Sequence, residues 1–295
     1  MADGFVVKTV RGLWYVETEP EGELLCCSAR GKLRTEGLTP LVGDRVSVTP
    51  LGGGKGRLEA VHPRKNTFIR PAAANVDALV ILASAAIPVT EPYLIDRMIA
   101  IAELKDCEPV ICFHKCDLAR AEALVEAYRG AGFRCLETSA VTGEGLEELR
   151  SLLPDRFSVF TGNSGVGKSS LLNALEPRLR LETGEVSQKL GRGRHTTRHV
   201  EVFQLHGGRI ADTPGFSAFE AEDVSLELKT RLPELFREFR PYLDRCRFRD
   251  CAHAGDEGCA VRAAAEAGKI PPTRYRSYLR LQEELKELKE WQIRD

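Results

Sequence analysis

The chain has 295 residues, enough for about two or three domains with a sizeable core. Hydrophobic residues make up 43% and charged residues 29%, as in an ordinary soluble protein, and a net charge of −1 does not advertise a nucleic-acid binder. The opening MADGFVVKTVRG has no long apolar segment, and the longest apolar run, Ala78 to Val89, contains Ser84 and Pro88, which argues against a signal peptide and against a membrane span.

In chain order, FVVKTV, LWYVET, ELLCCSA and DRVSVTP predict short strands, punctuated by GLTPLVGD and the flexible LGGGKG. About five strands within residues 1–71 suit an OB-fold barrel, and a small SH3-like barrel fits almost as well. Cys26 and Cys27 fall in a strand and need only packing to explain them. This segment holds 11 Lys and Arg against 8 Asp and Glu, a mildly basic balance that suits RNA contact but is also a common chance value.

From about residue 72 the pattern changes. DALVILASA, EPVICFH, RCLETSA and RFSVFTG read as strands, with the whole Ala78–Val89 run taken as buried strand. YLIDRMIAIAEL, ARAEALVEAYRGAG and GLEELRSLL read as the helices between them, then GVGKSSLLNAL as a helix and VEVFQLHGGRIADTPG as a hairpin. Alternating βα units predict a parallel sheet covered by helices over residues 72–221. Residues 222–295 read as helical and Cys-containing. They end in RYRSYLRLQEELKELKEW, a long charged helix solvated along one face, whose other face is open to a partner.

Several motifs carry chemistry. Gly162-Asn163-Ser164-Gly165-Val166-Gly167-Lys168-Ser169, followed by Ser170, matches G-x-x-x-x-G-K-[ST] between a predicted strand and helix. Such glycines turn backbone N–H groups onto phosphates, the lysine supplies charge to the β- and γ-phosphates, and the Ser169 hydroxyl can hold Mg²⁺. Asp212-Thr213-Pro214-Gly215 follows the strand GRIA; Asp212 there would hold Mg²⁺ through water, and the Gly215 N–H would meet the γ-phosphate. HKCD at 114–117 looks like an altered guanine-reading loop. Asp117 offers two acceptors to the paired donors of guanine, which adenine lacks. The Lys115 stem would pack on the base and its head return toward the P-loop. A neutral His114 can donate one N–H, to guanine N7 or to a neighbouring loop. Ser139-Ala140 ends the next strand, where a backbone N–H would reach guanine O6. In an ordinary GTPase the P-loop precedes these elements; here it comes after them, the order that a circular permutation produces without changing the sheet.

With this motif series, LVGDRV, HPRKNTFIRP, GRGRHTTR and CRFRDCAHAGDEGCAVRAA, the chain resembles the circularly permuted small-ribosomal-subunit-dependent GTPases, RsgA (YjeQ), over nearly its whole length. The resemblance implies a multidomain architecture: an N-terminal β-barrel (OB-fold), a circularly permuted α/β P-loop GTPase domain, and a C-terminal, mostly helical zinc-binding domain. It implies GTP/GDP as ligand and a GTPase stimulated by the 30S subunit late in its assembly. His114 departs from the family's usual Asn, which puts guanine affinity in question.

Nine cysteines and no export signal predict a cytoplasmic protein with reduced thiols, in which a tight cluster means metal before disulfide. Cys246-x4-Cys251-x-His253-x5-Cys259 supplies three thiolates and an imidazole, a closed structural Zn²⁺ set. Cys107, Cys112, Cys116 and Cys135 read as ordinary thiols. For hydrolysis, Phe216 stands where many GTPases place a water-orienting Gln, which predicts slow intrinsic turnover. His195 in GRGRHTTRHV is the candidate to orient water once a partner orders the loop, with Thr196 or Thr197 completing the Mg²⁺ and γ-phosphate contacts; a basic loop contacting RNA is the alternative. Expected partners are the 30S subunit and its rRNA, with no membrane and a monomeric chain. A GTP-gated RNA-binding module and an ATP-using P-loop enzyme are the rival readings.

Overall fold

Five strands close the N-terminal barrel: β1 (Ala2–Val10), β2 (Leu13–Glu19), β3 (Leu24–Ala29), β4 (Arg45–Gly52) and β5 (Lys55–Val61), in the order β1-β2-β3-β5-β4. The β3–β5 pair is parallel and the others antiparallel. That Greek-key closure is the OB-fold and decides between the two small barrels. The fifth strand starts inside LGGGKG, because Gly52, Gly53 and Gly54 all take positive φ and turn the chain back at once. Alternation along β2 sends Trp14, Val16 and Thr18 inward. The barrel core includes Trp14 and Val16 together with Val6, Leu25, Cys27, Val46, Val48 and Leu58. In the computed structural model, residues 1–29, 38–69, 71–181, 200, 202–212 and 226–286 are described.

The barrel is stapled to the central domain by polar side chains in LVGDRV and HPRKN. The buried Asp44 carboxylate takes a two-point ion pair from Arg64 (2.7 and 2.8 Å) and accepts from the Leu41 N–H. Asn66 bonds both backbone groups of Val76 and the Lys105 carbonyl. Two very short strands, β6 (Thr67–Phe68) and β7 (Ala73–Ala74), pair between these contacts. Gly43 has φ +92°, and a Cβ there would lie 2.0 Å from the Ala74 carbonyl oxygen, so this close approach requires glycine. Phe5 of the barrel packs edge-on against Phe157 at 5.5 Å, and both belong to a core that continues into the central sheet.

The central sheet has six strands. Along the chain come β8 (Ala78–Ala83), α1 (Pro92–Leu104), β9 (Glu108–His114), α2 (Glu122–Gly130), β10 (Arg134–Thr138), α3 (Leu146–Arg150), β11 (Phe157–Gly162), α4 (Lys168–Leu175), β12 (Val202–Leu205) and β13 (Gly208–Asp212). Their order is β10-β9-β8-β11-β13-β12, parallel except for β12. The chain enters at mid-sheet, walks out to β10, and returns to lay β11 beside β8. The C-terminal ends of β8, β9, β10, β11 and β13 therefore open on one edge, at the point where the winding reverses, which is where open α/β sheets bind ligands. The apolar run from Ala78 does not remain strand to Val89: Thr90 Oγ1 accepts from the Ser84 N–H, the Thr90 N–H returns to the Ser84 carbonyl, and the turn so closed exposes Ile87 and Val89.

The C-terminal region contains α5 (Leu226–Leu235), a 3₁₀ stretch (Arg237–Arg245), α6 (Ala260–Glu266) and α7 (Pro272–Lys286). Buried residues of α7 recur at Arg274, Ser277, Tyr278, Leu281 and Leu285, one helical face. That face has its partner within the chain: Tyr278, Leu281 and Leu285 share a core with Tyr93, Ala100 and Leu104 of α1 and with Leu228 and Leu232 of α5. Helix α1 is buried on two sides, its Ile95, Ile99 and Ala102 lying in the sheet's core. Between them Arg274, 1% exposed in its side chain, pairs with Asp96 of α1 at 2.7 Å and with Glu238 at 2.6 Å. Among the described residues no helix is long and apolar enough to cross a membrane.

Candidate nucleotide site and metal centre

The loop Gly162–Ser169 runs from the end of β11 to the start of α4, as its motif demands. Gly167 is the N-cap with φ +99°, so the loop leads directly into the first helical turn, whose N–H groups have no partner within the helix and suit an anion. Gly162 lies against Leu82 and Val166, Val166 is buried, Asn163 is half-buried, and Ser164 and Gly165 are exposed. Ser169 and Ser170 are half-buried in the first turn of α4. Lys168 forms an ion pair with Asp212. The register of β11 with β13 explains why: Asp212 stands beside Phe160, just before the loop departs. The Lys168 cation stands at a helix N-terminus, where phosphate oxygens are stabilised, and the carboxylate beside it is the kind of group that a hydrated divalent cation would use.

The 114–117 segment leaves the end of β9 on the same edge. Lys115 has φ +62°, and its Nζ donates to the Gly165 carbonyl (2.9 Å) and the Ile87 carbonyl (3.0 Å), so its head does return to the P-loop. Asp117 is exposed. His114 is buried, with its Nδ1 3.0 Å from Thr138 Oγ1, and burial followed by the Lys115 charge pulls its pKa down to about 4. Its imidazole is therefore neutral near pH 7. Ser139, fully buried, accepts at Oγ from the Val141 and Thr142 N–H groups and shapes the loop on which half-buried Ala140 sits.

In the C-terminal region, one ligand atom from each of Cys246, Cys251, His253 and Cys259 lies within 4.8 Å of the others. His253 Nδ1 is 3.5 Å from Cys246 Sγ and 3.6 Å from Cys259 Sγ. With Zn–S of about 2.3 Å and Zn–N of about 2.1 Å, a tetrahedral site has edges of roughly 3.6–3.8 Å; the two His253–Cys separations stand close to that, and three thiols with one imidazole suit the metal. Burial holds the His253 pKa below the ordinary imidazole range, which keeps a ring nitrogen free to ligate. Outer contacts fix the ligands: the Arg262 N–H donates to Cys259 Sγ, the Ala260 N–H to Cys246 Sγ, and the Tyr275 hydroxyl to the His253 carbonyl.

The family model for the RsgA GTPase matches residues 61–222, and that for the RsgA N-terminal domain matches residues 3–58. The chain belongs to the RsgA GTPase family. It is 47% identical to the small ribosomal subunit biogenesis GTPase RsgA of Geobacillus thermodenitrificans (strain NG80-2), over 98% of this chain and 99% of that protein. Among solved structures it resembles YjeQ from Thermotoga maritima, with TM-score 0.84 and 36% identity over 98% of this chain and 99% of that one. It also resembles YloQ, a circularly permuted GTPase, with TM-score 0.80 and 35% identity over 98% and 96% of the two chains.

Within this RsgA-family chain, the fold brings together His114, Lys115, Asp117, Ser139, Ala140, the 162–170 loop and Asp212 on one sheet edge, and the four metal-ligating candidates in a second place. His195, Thr196, Thr197, Gly215 and Phe216 lie outside the described residues. Two contributors escaped the sequence reading. Thr138 holds the His114 ring on one side and stands 3.1 Å from Cys112 Sγ on the other; only its position before Ser139 hinted at it. The Ile87–Pro88 turn meets both Lys115 and Gly165, but lay hidden in a run read as strand. Cys107, Cys112, Cys116 and Cys135 are buried free thiols, and no disulfide joins any of the nine cysteines.

Proposed function

We propose that this chain hydrolyses GTP under stimulation by the small ribosomal subunit, in late 30S assembly, gripping rRNA through its barrel and metal-bearing region and releasing it on hydrolysis. The observation that carries the reading is the meeting of the 114–117 loop with the P-loop through Lys115 and Gly165, despite their reversed order in the chain. A base reader and a phosphate cradle in contact on one sheet edge make a guanine-nucleotide site. The relatives' printed role in small-subunit biogenesis supports the partner.

In this reading Asp117 takes the paired guanine donors, the Lys115 stem covers the base, and Ala140 offers its N–H to O6. Residues 162–168 hold the phosphates, Lys168 moving from Asp212 to the β/γ oxygens, while Ser169 and Asp212 would hold Mg²⁺. Mg²⁺ held there would neutralise charge developing on the phosphates. His195 orients water, and Thr197 and Gly215 meet the γ-phosphate. Cys246, Cys251, His253 and Cys259 hold a structural Zn²⁺ with no open position. The working units are residues 1–71, 72–221 and 222–295, in a cytoplasmic monomer.

GTP and ATP turnover, each with and without purified 30S subunits, tests the proposal. GTP hydrolysis rising sharply only with 30S is the expected result. Equal use of ATP would overturn the guanine assignment, and absence of stimulation would leave a GTP-gated RNA-binding module. His195→Ala retaining full stimulated turnover would remove the catalytic role of His195.

A further inference from the structure

His114 occupies the contact between the two halves of the nucleotide site. It is the last residue of β9, 3% exposed, at the strand end that launches Lys115 and Asp117. One edge of its ring is anchored by Nδ1 at 3.0 Å from Thr138 Oγ1, itself 3.1 Å from Cys112 Sγ. Thr138 of β10 is the register partner of His114 on β9, so the anchor is part of the sheet rather than of a loop. The opposite edge lies on Gly167 of the P-loop. A Cβ at Gly167 would come within 2.7 Å of His114 Cδ2 and 3.0 Å of its Nε2. The ring thus fills the space between the base-reading loop and the phosphate loop, with the Lys115–Gly165 hydrogen bond as a second point of attachment.

We infer that His114 is a positioning residue: its ring is a spacer, anchored on Thr138 and seated on Gly167, that sets the separation of the base-reading loop from the P-loop without itself reading guanine. The inference rests on the guanine-nucleotide reading above. Two features carry it. The ring has almost no surface left for a base, and both of its edges are committed to protein. A rigid planar spacer also explains how a residue bulkier than Asn is accommodated here: Gly167 has no side chain to displace.

Affinity measurements by displacement of a fluorescent GDP separate the possibilities, using full-length wild type, His114→Ala, His114→Asn, Thr138→Val and the His114→Ala/Thr138→Val double variant, each against GDP, 7-deaza-GDP and ADP. His114→Ala is expected to weaken GDP and 7-deaza-GDP equally, by about tenfold, because the two loops lose their register. His114→Asn, planar and able to reach Thr138, is expected to restore most of that loss for GDP and 7-deaza-GDP alike; restoration confined to GDP would mean that the side chain at 114 touches N7 and would overturn the spacer role. Thr138→Val should cost about threefold in wild type and nothing further in His114→Ala, since it acts through the ring. A loss confined to GDP would mean that His114 touches N7 and would overturn the spacer role. An unchanged affinity, or a loss that His114→Asn fails to restore, would overturn it as well. The ADP arm reads the other question: wild type binding ADP as well as GDP would sink the guanine reading, while the GDP and 7-deaza-GDP comparison would still report on the spacer.

Discussion

The Cys/His cluster and the nucleotide site are built in opposite ways. The four metal-ligating candidates lie within one segment, Cys246 to Cys259, and their ligand atoms converge through its own turns, which the Arg247 N–H closes on the Gly258 carbonyl. The nucleotide site draws on the ends of β9, β10, β11 and β13, and no two of its main parts are held together by sequence proximity. A local cluster depends on its ligand; a distributed one depends on the sheet that aims it. The first should fail alone, and the second should fail gradually, through spacing.

Metal removal gives the largest expected effect. Cys259→Ser should abolish stoichiometric zinc and melt the 246–259 segment, since structural Zn²⁺ sites carry on the order of 10 kcal/mol of binding free energy. Fluorescent GDP affinity should change by less than about threefold, as the two sites share no side chain. Loss of nucleotide binding on chelation would break the contrast, and protein that carries no metal would remove the assignment.

The buried Asp96–Arg274 pair sharpens the contrast, because it joins the C-terminal region, through α7, to α1 of the central sheet. Two carboxylates, Asp96 and Glu238, keep the Arg274 guanidinium charged despite its burial. Asp96→Ala leaves that charge half-compensated and should cost about 3–5 kcal/mol in urea unfolding. A cost under about 1 kcal/mol would mean that α7 and α1 are stabilised independently of this pair.

The smallest effect belongs to pH. Burial lowers the His114 pKa from 6.5 to about 4. A histidine depressed in the folded state contributes stability above its unfolded value, and that stability is lost as pH falls through 6.5 toward 4. The slope integrates to about 3 kcal/mol at most. Unfolding titrations should show His114→Asn flattening the profile in that window; an unchanged profile would mean that the ring titrates normally.

Much of this was legible in the residues. Short apolar and aromatic runs between turn residues, such as LWYVET, marked the barrel strands, and the spacing in GNSGVGKSS and in Cys246-x4-Cys251-x-His253-x5-Cys259 carries its chemistry locally. Other features were not legible. LGGGKG concealed the start of a strand, because a three-glycine turn and a flexible linker share a composition. The run after Ala83 looked like more strand, because hydropathy does not report that Thr90 folds back on Ser84. Arg274 is one of many cations on α7, and nothing local marks it as the buried one.

The sequence by itself determined the alternation of strands and helices, the phosphate loop and the Cys₃His set, since each depends on residues a few positions apart. Only the tertiary structure decided that β11 returns beside β8, bringing a loop from 114–117 against one from 162–169. It also decided that the charged last helix buries one face on α1. Both outcomes come from burying apolar faces that local sequence exposes but cannot pair: which faces meet is a property of the whole chain packed at once.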